Sequence, residues 1–365
     1  MKEKPINVEG GPVTDHFEQQ EITQSHSAPL LKLDPKRSMD LVALGRLCID
    51  MNANETGRPM EETVTFTKYV GGSPANIAIG AARLGLRCGF IGKIASDPMG
   101  RFIRNYLRKE GIDDSQVIED TTGAVTGLAF TEIKSPQDCS ILMYRDNAAD
   151  LLLSTDNISE DYIRNTKTLL ISGTALAQSP SREAVFLALE FAVKHGTTVF
   201  FDLDYRPYTW KSNAETAVYY NLAAEKCDYI IGTREEFDMM ESLYGDTGSN
   251  DQSTAAHWFS HRAKLVVIKH GGNGSIAYTA DGGAHRSGIF HTKVLKTFGA
   301  GDSYASAFIY GLMKGDSVKE AMKRGAASAS IVISRHSCSD AMPTAEELDH
   351  FIQNNEEVVE EVQKT

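Results

Sequence analysis

The sequence predicts an α/β fold, a mostly parallel sheet with helices on both faces. Three observations carry this prediction. Short apolar segments recur along the chain: Asp40–Gly45, Thr168–Ser172, Thr198–Leu203, Tyr229–Ile231 and Leu265–Lys269. Each has the length of a strand buried on both sides. Between them lie stretches with apolar residues at helical spacing, several closed by glycine. The chain also has 365 residues and 41% hydrophobic content, enough for one large core with a small appendage. No repeat of fixed period breaks the alternation.

Residues 1–38 are polar, rich in Glu, Gln, Ser and Pro, and read as a disordered extension. The folded unit is expected over 39–353, with 354–365 as a flexible tail. Asp40–Gly45 is the first strand. Residues 52–70 alternate loosely through Val64, Phe66 and Tyr69, in the manner of lid strands. Ser73-Pro74 predicts a helix start, serine at the cap and proline at the first position, with the stop at Gly85. Asp97-Pro98 repeats the device, and Phe102, Ile103, Tyr106 and Leu107 give one apolar face before Gly111. Gly127–Ile133 and Ser140–Tyr144 read as a strand pair. Arg182–Lys194 is a helix ended by Gly196, and Thr233–Leu243 is another. Ser275–Ala280 and His285–Phe290 flank an Asp281-Gly282-Gly283 turn. The closing helices are Asp302–Lys314, Val318–Ser334 and Thr344–Gln353.

The formal net charge of -12 argues against nucleic acid or an anionic membrane as partner. It leaves room for a nucleotide, which local fields and Mg²⁺ hold. Five scattered cysteines with no C-x-x-C pair predict neither a disulfide framework nor a metal framework, and a reducing, cytoplasmic setting. No apolar run reaches membrane-spanning length, and the N-terminus lacks the pattern of a signal peptide.

The most specific stretch is Thr297-Phe298-Gly299-Ala300-Gly301-Asp302, leading straight into an apolar helix. A glycine-rich turn opening a helix leaves N–H groups free for an anion. Asp302 would be repelled there unless it accepts a proton from a hydroxyl attacking phosphorus. Gly71-Gly72 with Asn76 suits close approach to sugar hydroxyls, or simply an N-capped helix of small residues. Asp50, read as ending the first strand, is either a hydroxyl ligand or a solvated turn residue. Asp202, Asp204 and Arg206 leave a strand together and suit Mg²⁺, phosphate or an acid substrate, or a surface ion pair. Arg145 either grips a carboxylate or faces water. Thr233 and Glu236 have capping-box spacing, and Glu236 is also placed to reach a metal-bound water. Lys269, Gly271 and Gly274 border either a nucleotide or a hairpin turn. There is no G-x-x-x-x-G-K-[ST] loop, and no G-x-G-x-x-G follows the first strand.

Taken in this order, these segments resemble the PfkB (ribokinase-like) carbohydrate kinase family, from about Asp40 to about Thr344. Two signatures carry the likeness. One is Gly71-Gly72 with Asn76, then Ala82-Arg83-Leu84-Gly85; the other is Thr297–Asp302. The resemblance implies a doubly wound sheet with a small β lid, supplied by 52–70 and 127–144 and used for homodimerisation. It implies ATP, Mg²⁺ and a sugar as partners. Asp302 becomes the catalytic base, and the amides of Gly299, Ala300 and Gly301 the anion hole. Asp50, Gly72 and Asn76 hold substrate hydroxyls. Asp204, Thr233, Lys269, Gly271 and Gly274 lie on the nucleotide side, and Glu236 orients Mg²⁺ through water. Thr233 stands where the family's Asn-x-x-Glu motif has asparagine. The family often has an acidic or small residue where Lys296 stands, which leaves a monovalent-cation site open. Tyr144-Arg145 and the run Asp202–Trp210 look like the branch that phosphorylates keto-deoxy sugar acids, with Arg145 and Arg206 as carboxylate forks. 2-Keto-3-deoxygluconate and fructose are alternative acceptors, and a catalytically silent sugar-binding regulator is the alternative of another class.

Overall fold

The structure, a computed structural model, describes residues 31, 33–244 and 250–359. Strands β1 (Met39–Leu44), β2 (Cys48–Ala53) and β3 (Phe66–Gly71) lead into helix α1 (Ser73–Arg83). Then come β4 (Cys88–Ile94), α2 (Pro98–Lys109), β5 (Asp113–Glu119) and the hairpin β6 (Gly127–Ser135) and β7 (Asp138–Tyr144). The middle of the chain holds α3 (Glu160–Arg164), β8 (Thr166–Ser172), α4 (Ser181–His195), β9 (Thr198–Asp202), α5 (Asn213–Ala224) and β10 (Tyr229–Thr233). It continues through α6 (Arg234–Glu241), α7 (Asp251–Phe259), β11 (Leu265–Lys269), β12 (Ser275–Thr279), β13 (Ala284–Ser287) and β14 (Ile289–Phe290). Helices α8 (Ala300–Lys314), α9 (Val318–Ile333) and α10 (Ala345–Asn354) precede the short β15 (Glu357–Val358).

Nine strands form one sheet in the order β13-β12-β11-β10-β9-β8-β1-β4-β5. Its pairs are parallel except β11–β12 and β12–β13. Both faces are covered because successive residues of one strand feed different cores. Leu41 and Ala43 pack with Ile77, Ile103 and Phe308, while Val42 and Leu44 pack with Val185, Tyr220 and Trp258. The strand order turns back between β1 and β8, the place where such sheets receive ligands beyond the strand carboxyl ends. A separate four-stranded sheet, β3-β2-β6-β7, contains the segments expected to form the lid.

Several boundaries differ from expectation, each for a local reason. Gly45, with φ +139°, lets the chain leave the main sheet after Leu44. The lid therefore begins at Cys48, and Asp50 lies within β2 instead of ending the first strand. The cap of α1 is Gly72, with Ser73 and Pro74 already helical. The predicted strand His285–Phe290 breaks at Gly288, and Ile289–Phe290 turns away to pair with Glu357–Val358. A Cβ on Gly288 would sit 1.8 Å from the Val358 carbonyl oxygen. Residues 357–358 are thus not a loose tail; the Glu357 carboxylate accepts from Ser287 Oγ at 2.5 Å and Gly288 N–H at 2.8 Å. At the other end, Leu31 is buried and Arg37 donates to Thr166 O and Thr197 Oγ1 at 2.7 Å each. The folded unit therefore starts before residue 39, and 1–30 and 360–365 lie outside the described residues. All five cysteines are free thiols, and no described helix is long and apolar enough to cross a membrane.

Candidate active site

Strands β9, β10 and β11 end side by side at Asp202, Thr233 and Lys269, and the turn before α8 closes the same space. Two cavities result. The polar one, about 310 Å³, is lined by Asp202, Asp204, Arg206, Glu236, Gly299 and Asp302 among others, with Cys139 and Ile141 reaching in from the lid. The other, about 440 Å³, is walled by Val294, Ala326, Ala329 and Ile333 and floored by Gly271, Gly272 and Gly274. Thr233, Lys269, Thr297 and Gly301 line both.

The glycine pair has a physical cause. A Cβ on Gly71 would fall 2.0 Å from Asp50 Oδ1, so Gly71 makes room for that carboxylate. Gly72 has φ +106°, and its Cβ would fall 2.3 Å from the Arg46 carbonyl oxygen. Asn76 Nδ2 donates to Asp302 Oδ2 at 2.8 Å, while its buried Oδ1 has no protein partner. One end of the amide fixes Asp302, and the other is left for a hydroxyl. Burial pushes the Asp302 carboxyl above its ordinary pKa, and the Asp204 charge adds to this. The Asn76 hydrogen bond and the Arg206 charge pull the other way. Burial likewise pushes Asp50 up to about 6, opposed by Arg46 and reinforced by Asp302.

The amides of Gly299, Ala300 and Gly301 open α8, where N–H groups have no in-helix acceptor. Lys269 stands beside them, its Nζ 3.3 Å from where a Gly301 Cβ would be and 3.9 Å from Asp202 Oδ1. Arg206 Nη2 contacts Asp204 Oδ1 at 2.6 Å, and Asp204 Oδ2 is buried without a partner. Asp204 is held at φ +36°, an uncommon backbone state for a residue with a side chain.

Thr233 and Glu236 form the capping box of α6. Glu236 Oε2 accepts from Thr233 N–H at 2.8 Å and Oε1 from Tyr205 N–H at 2.9 Å. No cluster of three or more metal-ligating side chains occurs among the described residues. The donor set therefore fits an ion such as Mg²⁺ held mainly by phosphate oxygens and water, with Glu236 and the orphan Asp204 Oδ2 as outer acceptors.

Arg145 is placed differently. Its Nε and Nη2 donate to Asp150 Oδ2 at 3.0 and 2.5 Å, and Nη2 also donates to Thr174 O at 3.0 Å. It is buried and does not line the polar cavity. Arg145→Ala is expected to cost about 3 kcal/mol of stability in urea unfolding by stranding Asp150; an unchanged midpoint would free Arg145 for a direct ligand role. Sequence reasoning missed Arg46, which is 6% exposed, has an unpartnered Nε, and feels the Asp204 and Asp50 charges. It also missed Ser73, whose hydroxyl donates to Asp202 Oδ2 at 2.7 Å. An arginine just past the first strand's carboxyl end was the available signal for Arg46.

The family model of the pfkB family carbohydrate kinases matches residues 38–345. Proteins named 5-dehydro-2-deoxygluconokinase from Bacillus anthracis and Bacillus cereus (strain 03BB102) are 73% identical over 323 residues, 88% of this chain and 97% of theirs. The crystal structure of a PfkB protein from Polaromonas sp. JS666 is 28% identical, with a TM-score of 0.73 over 86% of this chain and 99% of its own. A fructokinase with bound ATP from Xylella fastidiosa shares the fold at 23% identity and TM-score 0.76, over 86% and 98%. So does an E. coli protein described as ribokinase II, in complex with ATP and Mg²⁺, at 21% and 0.78, over 87% and 99%.

Proposed function

The chain belongs to the pfkB family of carbohydrate kinases, and from that premise we propose that it phosphorylates the primary hydroxyl of 5-dehydro-2-deoxy-D-gluconate with ATP, giving the 6-phosphate. The observation that carries the acid substrate is Arg206, a guanidinium in the wall of the polar cavity that also holds Asp302. The sugar sits in the polar cavity and reaches past Asp302 to Asp50, Gly72 and the free Asn76 Oδ1, which lie outside the cavity's lining and meet its hydroxyls. Arg206 turns one edge to Asp204 and another to the carboxylate. The nucleotide base lies in the larger cavity against Val294, Ala329 and Ile333, above Gly271 and Gly274. Lys269 and the Gly299–Gly301 amides hold phosphoryl oxygens where the cavities meet. Asp302, fixed by Asn76, takes the proton from the attacking hydroxyl. Bound Mg²⁺ supplies charge neutralisation on the phosphates.

ADP release measured on 5-dehydro-2-deoxygluconate, 2-keto-3-deoxygluconate, fructose and ribose tests this reading. The first is expected to win in kcat/KM by about 100-fold over the neutral sugars. Equal or faster turnover of fructose, or of 2-keto-3-deoxygluconate, would sink the substrate assignment. The lid leaves Leu142 46% and Tyr144 59% exposed on β7. A second copy covering these strands is expected, and light scattering should give twice the 40.0 kDa chain mass; a monomer at assay concentration refutes it.

A further inference from the structure

Lys296 is the one lysine of the described residues that solvent does not reach. A buried ammonium is costly unless paired with a carboxylate, yet none lies within ion-pair distance of Lys296 among the described residues. Its Nζ donates instead to main-chain carbonyls, Phe298 O at 2.7 Å and Val332 O at 3.3 Å. Cys338 Sγ at 3.9 Å and the Phe298 ring, 4.7 Å to its centroid, complete the shell. Its backbone is pinned as well, with Leu295 N–H and Lys296 N–H both donating to Ile333 O. Carbonyls, a thiol and a ring face around a compact charge are the surroundings of a small bound cation, here tied to the chain. Val332 and Ile333 end α9, where the helix dipole favours positive charge.

The location gives this cation a task. A trans peptide points its C=O and its N–H in opposite directions. Drawing Phe298 C=O inward onto Lys296 therefore turns Gly299 N–H outward, and Gly299 lines the polar cavity. Gly299 itself is at φ +84°, and its Cβ would strike Cys338 Sγ at 2.6 Å, so the turn is packed from beneath by the same thiol. We infer that the Lys296 ammonium is a built-in cation that orients the Phe298–Gly299 peptide for phosphoryl transfer, so that this kinase needs no free monovalent cation. Lys296 touches no substrate and is a positioning residue. The inference rests on the proposed role of the Gly299–Gly301 turn in receiving phosphoryl oxygens. Burial lowers the ammonium's pKa, while the neighbouring Cys338, Asp302 and Asp50 groups favour its protonated form.

The test compares the native enzyme with Lys296→Met and Lys296→Ala in buffers free of alkali metal. Ionic strength is held with tetramethylammonium, a bulky cation that has no N–H to donate. Native turnover is expected to change less than about twofold on adding potassium or ammonium at about 100 mM. Lys296→Met should lose about 100-fold in kcat with little change in either KM, the mark of an interaction made in the transition state. Lys296→Ala should regain part of that loss with potassium or ammonium. The same ions should raise its unfolding temperature, by mass action, but not that of the native protein. Native activity stimulated tenfold or more by potassium overturns the inference, as does a folded Lys296→Met at native kcat. A folded, slow Lys296→Ala indifferent to every ion, in rate and in unfolding temperature, assigns the lysine to packing and also overturns it. If neither variant folds, the native cation series decides. Absence of ADP release from the native protein on every sugar would instead condemn the kinase reading.

Discussion

Asp302→Asn is expected to fold, bind both substrates and lose about 10²–10⁴-fold in kcat, the range of a lost general base. The asparagine keeps the shape and can still accept from Asn76 Nδ2, so binding geometry survives. What it cannot do is take a proton. In the native enzyme, burial and the Asp204 charge raise the Asp302 pKa, so the acid limb of kcat/KM should lie above the ordinary carboxylate value. The sign for stability follows. A carboxyl whose folded pKa is raised favours its neutral form in the native state; its contribution is present at low pH and lost as pH rises through the folded value. The neutral asparagine escapes that loss. The variant should therefore unfold at the same or a higher temperature than the native protein near pH 7, while being nearly inactive. Steady-state kinetics and calorimetry across pH 5–8 check both halves. Near-native turnover removes Asp302 from the role of base, and a large drop in unfolding temperature makes it a structural residue.

The parallel sheet was legible because its strands are short apolar runs with turn signals, and such runs say little else. The Asp302 turn was legible because two glycines, a carboxylate and a helical pattern coincide within a few residues. What escaped was whatever depends on chain direction after a strand. Asp50 reads as the end of β1 because nothing in the local residues shows that Gly45 sends the chain out into the second sheet. Helices α5 and α7 carry no clean apolar stripe in the sequence, and the packing of Tyr220 and Trp258 into the core beside β9–β11 supplies the helix. Arg145 and Arg206 look alike in sequence, each an arginine beyond a strand. Each pairs with a nearby carboxylate, Arg145 with Asp150 and Arg206 with Asp204, but only Arg206 lines the polar cavity, and no local residue pattern tells the two placements apart. Ser73 shows the same limit, since its partner Asp202 is 129 residues away.

The Arg206 contact gives the second large effect. Arg206→Ala should raise KM for the sugar acid by about 100-fold, the 2–3 kcal/mol of a charge-assisted pair. The variant also strands Asp204, whose side chain is 5% exposed and pairs with Arg206 at 2.6 Å. Part of any loss would then come from a buried unpaired charge rather than from the missing substrate contact. Two further variants separate these contributions. Arg206→Lys keeps the charge near Asp204 but loses the planar fork, and should recover only part of the acid's KM. Arg206→Ala with Asp204→Asn removes the stranded charge, and should restore stability without restoring acid binding. Fructose, which has no carboxylate, is the internal control: its weak turnover should fall less than about threefold with Arg206→Ala, within the spread of neutral contacts. If acid and fructose lose equally, and the double variant rescues both, the loss came from the stranded Asp204 charge and the carboxylate is read elsewhere. Arg46 is then the next candidate, since its Nε is buried, unpartnered and close to the charges of Asp50 and Asp204.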